Sequence, residues 1–321
     1  MKPVSRVLVI KLGAIGDFVL SLPAMQRIRL SHPKAQITLL TTPRFEQLAK
    51  SSRYVDHVEP AGGDGGLGST LRLAGWIRRA RFDRIYDLEG SSQTNLVFQA
   101  LRPFPPAWSG PATGCALRHR DPRRARLHVL ERQASQLKDA GIWPDAPVEP
   151  GSAPPPDLSW ILRRAPPQRP VPGASKPRPY VLMAPGGSSA DKLWPIENFA
   201  ELAGRLYAAG MDVVVVGGPE ESGLARAIQH VARHARDLTG RTDFAQIAVL
   251  GARAALAIGN DSGPTHLMAA SGAPTIALFS EASDPDLSAP RGYVAILSAK
   301  ALKDLPVQQV AQTAAVMVRS A

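Results

Sequence analysis

Short apolar runs alternate with longer amphipathic segments along the first half of the chain. The apolar runs predict strands, and the segments between them predict helices. The strands are predicted at 6–10, 36–42, 55–59 and 84–88, and the helices at 17–30, 44–51, 71–80, 92–101 and 128–140. A glycine-rich loop is predicted at 61–68, and the pattern weakens between 102 and 127. This alternation favours an α/β fold with a parallel, doubly wound sheet.

The same alternation restarts at residue 180. Strands are predicted at 180–184, 212–216, 254–258 and 275–279, and helices at 196–209, 220–235, 244–252 and 307–319. A further helix of small residues is predicted directly after Asp261, with Asp261 or Ser262 as its cap. The terminal helix could pack on either half of the chain. The second half therefore predicts a second Rossmann-like sheet.

A proline-rich stretch separates the two patterns. Residues 144–179 contain 12 of the chain's 30 prolines, a density that excludes an ordinary helix or a central strand. A short helical piece is predicted within it at 157–164. The sequence thus predicts an N-terminal domain at 1–143, an interdomain connection at 144–179 and a C-terminal domain at 180–321. Two such domains would bind ligands in a cleft that faces the carboxyl ends of their strands.

The net charge of +11 lies almost entirely in the first half. Residues 1–179 carry 27 Lys and Arg against 14 Asp and Glu, whereas residues 180–321 carry 11 against 13. This asymmetry indicates an anionic partner for the first half, either nucleic acid or an anionic membrane or lipid. The densest basic cluster consists of Arg118, Arg120, Arg123, Arg124 and Arg126. No aromatic residues are interleaved with these arginines, which disfavours single-strand binding by base stacking.

The single cysteine, Cys115, excludes a disulfide framework and favours a reducing, cytoplasmic setting. The first residues lack the features of a secretory signal peptide. No apolar run approaches the roughly 18 residues of a membrane-spanning helix. We therefore expect a cytoplasmic protein that is soluble or peripheral to a membrane.

The loop after the first predicted strand, K-L-G-A-I-G-D at 11–17, contains candidate chemistry in Lys11, Gly13, Gly16 and Asp17. It matches neither the G-x-G-x-x-G fingerprint nor a Walker A loop. Asp17 falls in the first turn of a helix, where a carboxylate is favoured. Two interpretations stay open from the residues alone: a helix cap, or a general base presented to a substrate hydroxyl.

Three loops of the second half follow predicted strands. The loop at 184–195 offers glycines, Ser188, Ser189 and Lys192, which are the parts of a diphosphate site. The sequence G-G-P-E-E at 217–221 places Glu220 where it could accept ribose hydroxyls, or simply begin a helix. The segment N-D-S-G-P-T-H at 260–266 joins a glycine turn to a helix N-terminus, which suits a phosphate.

Glu89 lies in a fourth polar loop, D-L-E-G-S-S-Q at 87–93, which could hold an acceptor or be an ordinary strand–helix corner. One H-x-x-x-H (His230 and His234) and one D-x-D (Asp284 and Asp286) occur outside the candidate loops, and paired cysteines do not occur. A nucleophile elbow of the form G-x-S-x-G does not occur either. The sequence therefore predicts chemistry without a metal ion or a covalent serine or cysteine intermediate.

Three of these segments together resemble one family. The segments V-I-K-L-G-A-I-G-D-F-V-L-S-L-P-A (9–24), P-G-G-S-S-A-D-K-L-W-P (185–195) and N-D-S-G-P-T-H-L-M-A-A-S-G (260–272) are similar to those of the ADP-heptose:lipopolysaccharide heptosyltransferases, glycosyltransferase family 9. The resemblance implies a GT-B fold with an N-terminal acceptor domain and a C-terminal nucleotide-sugar domain. It also implies an inverting transfer without an obligatory metal or other cofactor.

The resemblance assigns roles residue by residue. Asp17 matches the carboxylate proposed to deprotonate the acceptor. The donor-binding positions of the family match Ser188, Ser189, Lys192, Asp261, Ser262, Gly263 and His266, with Glu220 more loosely matched. The family's usual D-T-G is D-S-G here, which keeps the hydroxyl. Lys11, Gly13, Gly16 and Glu89 are the expected acceptor-side residues.

The implied substrates are ADP-heptose and a Kdo or heptose hydroxyl of the lipopolysaccharide inner core. The implied location is the cytoplasmic face of the inner membrane, and the arginine cluster at 118–126 is the expected lipid contact.

An enzyme that uses another nucleotide sugar and a nucleotide-sugar epimerase stay open as alternatives. A nucleotide-binding protein without catalysis is disfavoured because Asp17, Lys192 and Asp261 are all present. A nucleic-acid-binding protein is disfavoured because the positive charge lies on one domain only.

Overall fold

The chain folds into two compact units, unit 1 (Met1–Pro154) and unit 2 (Pro155–Ala321). The computed structural model describes residues 3–61, 66–144, 146–164 and 178–320. Residues 62–65 of the predicted glycine-rich loop, and residues 145 and 165–177 of the proline-rich connection, lie outside the described residues. The division between the units falls within this connection, and the predicted boundaries at 143/144 and 179/180 stay predictions.

Unit 1 contains a six-stranded parallel sheet with the strand order β3-β2-β1-β4-β5-β6. Its strands are β1 (Arg6–Ile10), β2 (Gln36–Thr41), β3 (His57–Pro60), β4 (Arg84–Asp87), β5 (Ala107–Gly110) and β6 (Leu117–Arg118). Its helices are α1 (Ile15–Leu20), α2 (Leu22–Ser31), α3 (Glu46–Ser51), α4 (Leu67–Ala80), α5 (Ser92–Ala100) and α6 (Val129–Asp139). The doubly wound α/β fold predicted from the sequence is confirmed in this unit.

The apolar run Val7–Ile10 is fully buried in the centre of this sheet. Helices cover both faces of a doubly wound sheet, so a central strand has no polar face and its sequence does not alternate. Phe98 of α5 packs edge-on against Trp108 of β5, with ring centroids 5.5 Å apart. Strand β5 is thus part of the core, although its sequence shows only a weak strand pattern.

The single helix predicted at 17–30 is two helices, and Ser21 is the residue between them. The Ser21 hydroxyl donates to the carbonyl oxygen of Asp17 at 2.7 Å and accepts from Nε2 of Gln133 at 2.7 Å. Pro23 has no N–H to continue the α1 ladder, which favours a new start at this point. The break leaves α1 as a short helix that carries Asp17 in its first turn.

Residues up to 154 belong to unit 1 because they pack on α6. Val148 and Ala153 are buried in one cluster with Val129 and Leu130 of that helix. The backbone N–H of Gly151 donates to Oε1 of the fully buried Glu131 at 2.9 Å. A buried carboxylate thus holds a proline-rich segment that cannot form regular structure.

Unit 2 contains a second six-stranded parallel sheet, with the order β12-β11-β10-β7-β8-β9. Its strands are β7 (Tyr180–Ala184), β8 (Asp212–Val215), β9 (Arg236–Asp237), β10 (Leu256–Asn260), β11 (Thr275–Phe279) and β12 (Val294–Ser298). Its helices are α7 (Ile196–Ala208), α8 (Ser222–Val231), α9 (Phe244–Gly251), α10 (Gly263–Ala270), α11 (Pro285–Ser288) and α12 (Val307–Ser320). The second predicted Rossmann-like sheet is confirmed.

The terminal helix α12 packs on unit 2. Its Val310 and Ala314 are fully buried in one cluster with Phe199 and Leu206 of α7. In the part of the chain that the structure describes, no helix has the length and apolar character needed to cross a membrane.

Candidate functional site

The Lys192 ammonium and the Asp261 carboxylate form an ion pair in unit 2, with Nζ 2.7 Å from Oδ2. Lys192 follows β7, and Asp261 follows β10. These two strands are hydrogen-bonded neighbours, with Ala184 opposite Gly259, and parallel strands end at the same edge of a sheet. Sheet topology therefore brings together two residues that lie far apart in the sequence. Only 21% of the Lys192 side chain and 10% of the Asp261 side chain are exposed.

Asn260, at the end of β10, anchors the loop that carries Lys192. Its side chain is fully buried. The carboxamide oxygen accepts from the backbone N–H of Trp194 at 3.1 Å, and Nδ2 donates to the carbonyl oxygen of Pro185 at 2.7 Å. One side chain thus ties both ends of the loop to β10, so Asn260 fixes where Lys192 lies. The sequence analysis did not assign this role; its only signal is a polar residue at the end of an apolar strand.

The Asp261 carboxylate is held in its charged form. Burial opposes the charge, but His266, Lys192 and Ser283 outweigh that effect and hold the pKa of Asp261 well below its usual range. Nε2 of His266 lies 3.8 Å from Oδ1 of Asp261. The other ring nitrogen, Nδ1, is buried and has no hydrogen-bond partner among the described residues. Asp261 therefore orients the Lys192 ammonium with one oxygen and lies beside the His266 ring with the other.

The N-terminus of α10 has no side-chain cap. Ser262 occupies the N-cap position, but its hydroxyl pairs with Oγ1 of Thr265 at 3.1 Å instead of accepting from the first turn of the helix. The Thr265 hydroxyl in turn donates to the carbonyl oxygen of Asn260 at 2.7 Å. The predicted cap position at Ser262 is therefore confirmed, but the side-chain cap hydrogen bond is not formed. An uncapped N-terminus at Gly263, with its positive dipole end, suits a phosphate group.

Glu221, and not only the predicted Glu220, lies at the glycine loop after β8. A Cβ atom on Gly186 or Gly217 would overlap the Glu221 carboxylate, so both glycines make room for it. The backbone N–H of Gly218 donates to this carboxylate. Burial nevertheless raises the pKa of Glu221 above its usual value. Glu220 is exposed and lies over Gly218, while Ser188 and Ser189 are exposed on the loop before Lys192.

Lys11 and Glu89 form the centre of a second polar site, in unit 1. Oε2 of Glu89 accepts from Nζ of Lys11 at 2.9 Å, from the Leu12 N–H at 3.0 Å and from the Gly13 N–H at 2.9 Å. Burial would raise the pKa of Glu89, but the charge of Lys11 and these hydrogen bonds outweigh it and lower the pKa. A Cβ on Gly13 would lie about 3.3 Å from this ion pair, which explains the glycine.

Asp17 lies beside this pair. Its Oδ2 is 3.9 Å from Nζ of Lys11, and 41% of its side chain is exposed. The loop 11–16 and the first turn of α1 thus place an accessible carboxylate next to a buried ammonium. Gly16, the preceding residue, is buried in that turn. Asp17, predicted as the general base, and the predicted acceptor-side residues Lys11, Gly13 and Glu89 therefore lie together.

The five arginines predicted to contact lipid have different environments. Arg118, Arg120 and Arg126 are exposed. Nη2 of Arg123 lies 3.2 Å from Oδ2 of Asp121, and Nη1 lies 4.0 Å from Oε2 of Glu149. Arg124 is only half-exposed, and its Nη2 donates to the carbonyl oxygen of Gly90 at 3.4 Å. Arg124 thus points into the protein, towards the loop that contains Glu89.

The family model of glycosyltransferase family 9 (heptosyltransferase) matches residues 70–309. The chain belongs to this family. It is therefore a glycosyltransferase, as the three sequence segments predicted.

Relatives across nearly the whole length agree with this assignment. The chain is 28% identical over 314 residues to lipopolysaccharide heptosyltransferase 2 of Escherichia coli, covering 90% of this chain and 86% of that protein. The structure of E. coli ADP-heptose lps heptosyltransferase II superposes with a TM-score of 0.79 at 24% identity, covering 98% of this chain and 99% of the other. E. coli heptosyltransferase WaaC with ADP superposes with a TM-score of 0.76 at 19% identity, covering 97% and 99%. The predicted GT-B fold is thereby confirmed.

Each unit of this family 9 glycosyltransferase contains a polar site at the carboxyl edge of its sheet. Lys192, Asp261, Ser262 and His266 come together in unit 2, and Lys11, Asp17 and Glu89 in unit 1. The roles of Asn260 and Glu221 were not predicted from the sequence. Among the described residues, no group of three or more His, Cys, Asp or Glu side chains is arranged to hold a metal ion; metal independence stays a prediction.

Proposed function

We propose that this glycosyltransferase transfers heptose from ADP-heptose to a Kdo or heptose hydroxyl in the inner core of lipopolysaccharide. The observation that carries the proposal is the Lys192–Asp261 pair beside the uncapped N-terminus of α10. Family membership and the heptosyltransferase relatives support heptose as the sugar. The neighbouring structure with bound ADP supports an adenine nucleotide as the leaving group.

Unit 2 would bind the donor. As the glycosidic bond to ADP breaks, the electron pair stays on the diphosphate, and negative charge grows there. The Lys192 ammonium, the hydroxyls of Ser188 and Ser189 and the N-terminus of α10 supply positive charge and hydrogen-bond donors for it. Lys192 is already oriented by Asp261, so little reorganisation accompanies the reaction. Glu220 and Glu221 are the carboxylates available for ribose hydroxyls.

Unit 1 would bind the acceptor, with Asp17 as the general base. Asp17 takes the proton of the acceptor hydroxyl, the hydroxyl oxygen attacks the anomeric carbon, and the bond to ADP breaks. This single displacement inverts the configuration at the anomeric carbon and forms no sugar–enzyme bond. The cationic groups around the diphosphate would replace a metal ion, so we propose that no metal or other cofactor is required.

The exposed arginines would hold the enzyme at the cytoplasmic face of an anionic membrane. The exposed side chains of Arg118, Arg120 and Arg126 would contact lipid head groups. Arg123 would contribute less, because it already forms an ion pair with Asp121. Each basic residue near an anionic surface contributes about 1 kcal/mol. Replacing Arg118, Arg120 and Arg126 by glutamine should therefore weaken binding to anionic liposomes by roughly 100-fold. Unchanged liposome binding would remove these residues from the proposal.

The reaction itself can be tested with a panel of nucleotide sugars and deep-rough lipopolysaccharide, following nucleotide release and the mass of the acceptor. We expect ADP release and a gain of one or more heptose units with ADP-heptose, and neither with Asp17→Asn. Turnover of a UDP-sugar alone would overturn the donor assignment. A sugar isomer formed without acceptor would instead indicate an epimerase.

A further inference from the structure

Helices α4 and α5, with the loop that follows α5, expose most of the large apolar side chains on the described surface of unit 1. Four of the five such side chains lie there: Leu67, Leu71, Leu96 and Phe104, which are 75%, 56%, 57% and 90% exposed. We propose that this α4/α5 face inserts these side chains into the boundary between head groups and acyl chains of an anionic lipid bilayer. The inference rests on the proposed function for the presence of a lipid-linked acceptor, but the surface follows from this chain's own residues.

Helix α4 has one side in the core and another along α5. Its buried residues are Thr70, Ala74 and Ile77. Leu67 and Leu71 lie one turn apart, and Arg78 lies two turns after Leu71, so these three form a stripe on one side of the helix. Nη2 of Arg78 donates to the carbonyl oxygen of Ala100 at 2.5 Å and lies 3.4 Å from that of Arg102, both at the end of α5. The stripe therefore runs along the side of α4 that borders α5.

Leu96 and Phe104 extend this stripe. Leu96 lies one turn before Ala100, so it is exposed on the side of α5 that carries the contact with Arg78. Phe104 lies between prolines in R-P-F-P-P at 102–106, which is not regular structure, and proline restricts the backbone there. Its ring is almost entirely exposed and contributes nothing to the core. Contiguous exposed apolar residues of this kind mark an interaction surface.

The α4/α5 face is also strongly basic. The segments that form it, 66–82 and 91–106, contain no Asp or Glu. They contain five exposed arginines: Arg72, Arg78, Arg79, Arg81 and Arg102. Apolar side chains flanked by unopposed arginines match an anionic bilayer, whose head groups attract the guanidinium groups while its acyl chains accept the apolar groups.

The acidic residues between the two segments do not neutralise this face. Asp83 accepts three hydrogen bonds from residues 5 and 6. Asp87 is buried, and Glu89 forms its ion pair in the polar site of unit 1. Asp64, which precedes α4, lies outside the described residues. Within the described part of unit 1, the arginines of the α4/α5 face are therefore available to an external anion.

A bilayer suits this face better than a second copy of the chain does. Two copies that met through it would bring five arginines against five arginines without a compensating acidic residue in either pair of segments, and such like-charge contacts are repulsive. The arginine cluster at 118–126 differs from this face, because Arg123 pairs with Asp121 and the cluster has no exposed large apolar residue. It would contribute charge alone, whereas the α4/α5 face would also penetrate the bilayer.

The position of the face suits an acceptor that is attached to lipid. Helix α4 follows β3, and α5 follows β4, so both helices begin at the carboxyl edge of the parallel sheet. Leu67, the first residue of α4, therefore lies towards the edge that carries Asp17 and Glu89. A bilayer in contact with this stripe would reach the side of unit 1 on which the acceptor site is proposed.

The first test is vesicle binding by the triple variant Leu71→Ser, Leu96→Ser and Phe104→Ser. The matched control is Leu30→Ser, Val231→Ser and Val316→Ser, which changes exposed apolar residues outside the face. Vesicles of phosphatidylcholine with phosphatidylglycerol are used at low and at high salt, since salt screens charge contacts and leaves apolar insertion. At high salt we expect the triple variant to bind about 10- to 100-fold more weakly than the wild type, and the control to bind normally. Equal binding by the triple variant and the control would overturn the proposal.

The second test measures insertion directly and does not depend on the folding of the triple variant. Leu71→Cys and Leu30→Cys, each in a Cys115→Ser background, are labelled with a fluorophore that is sensitive to polarity. We expect a blue shift on vesicle addition for the label at 71 and none for the label at 30. A shift that is equal at both positions would indicate unspecific adsorption and would refute insertion by this face. A wild-type dimer that the triple variant cannot form, without any vesicle binding, would assign the face to a second copy instead.

Transfer to a soluble, lipid-free core oligosaccharide separates this proposal from the proposed function. The triple variant should transfer heptose to that acceptor at the wild-type rate and lose activity only with acceptor in vesicles. Vesicle insertion without any heptose transfer would refute the proposed function and leave the α4/α5 face standing. Heptose transfer with unchanged vesicle binding by the triple variant would do the reverse.

Discussion

Nζ of Lys192 lies 2.7 Å from Oδ2 of Asp261, and 69 residues separate the two in the chain. The pair is largely buried, with 21% and 10% of the two side chains exposed. Removal of one member of such a pair leaves the other as an uncompensated charge, which is strongly unfavourable. The pair therefore acts as a unit: Asp261 orients the ammonium, and we propose that the ammonium meets the donor diphosphate.

Lys192→Met should lower the affinity for ADP and slow the transfer step. One ammonium that stabilises a leaving group is worth roughly 10²- to 10³-fold in rate. Steady-state kinetics with ADP-heptose and calorimetry with ADP measure the two effects. Lys303→Met, at an exposed lysine of the same unit, is the matched control and should resemble the wild type. Equal ADP affinity in Lys192→Met and the control would contradict the role assigned to Lys192.

Asn260→Ala should destabilise unit 2 and weaken ADP binding. Asn260 is fully buried beneath the loop that carries Lys192, so its effect on ADP binding is indirect. The substitution removes both hydrogen bonds that hold the loop and leaves the buried groups of Pro185 and Trp194 unpaired. We expect a loss of about 2–6 kcal/mol in the free energy of unfolding, at about 1–3 kcal/mol for each of the two unpaired groups. Urea denaturation measures it, and Asn198→Ala on the surface of α7 is the control. A loss of stability no larger than in the control would show that the loop is held by other contacts.

The sequence predicted most of the central strands and the two polar sites for one physical reason. Strands buried on both faces are continuous apolar runs, so β1, β7 and β11 are visible without any tertiary information. Parallel strands end at a common edge, so polar loops that follow such runs must lie together. That is why Lys192 and Asp261 could be assigned to one site before any distance was known.

Details that depend on tertiary contacts could not be predicted. Glu220 and Glu221 are adjacent and chemically identical, and only the packing against Gly186 and Gly217 distinguishes them. Strands β6 and β9 contain two residues each, so neither forms an apolar run. The edge strand β12 does contain an apolar run, V-A-I-L at 294–297, and was missed although the pattern was present.

Asp17→Asn should abolish transfer while donor binding is retained. Asparagine keeps the shape of the side chain but cannot accept the proton of the acceptor hydroxyl, and loss of a general base costs about 10²- to 10⁴-fold. The measurement is kcat with ADP-heptose together with ADP affinity by calorimetry. Glu46→Gln removes another carboxylate of unit 1, one paired only with Lys50 at the surface of α3, and should leave kcat unchanged. An active Asp17→Asn enzyme would mean that another group removes the proton.

Asp87 should make the stability of unit 1 depend on pH in an unusual direction. Burial raises the pKa of Asp87 from 3.8 to about 6, since a Gly90 N–H bond and Thr94 only partly stabilise the charge and Glu89 opposes it. Its Oδ2 has no hydrogen-bond partner among the described residues. The folded chain therefore binds a proton near pH 6, and the unfolded chain binds it only near 3.8. The contribution of Asp87 to the free energy of unfolding must therefore rise as the pH falls from about 7 to about 4.

The full gain, reached below both pKa values, is about 3 kcal/mol, since each unit of pKa difference corresponds to about 1.4 kcal/mol, and roughly 1.3 kcal/mol of it falls between pH 7 and pH 5. Urea denaturation at pH 7 and pH 5, followed by tryptophan fluorescence, gives the free energy of unfolding for the wild type and for Asp87→Asn. Asparagine does not titrate, so the difference between the two proteins isolates Asp87 from every other group. We expect the free energy of unfolding of the wild type to rise relative to that of Asp87→Asn when the pH falls from 7 to 5. A difference that stays constant between the two pH values would mean that Asp87 is already neutral, or already charged, throughout this range.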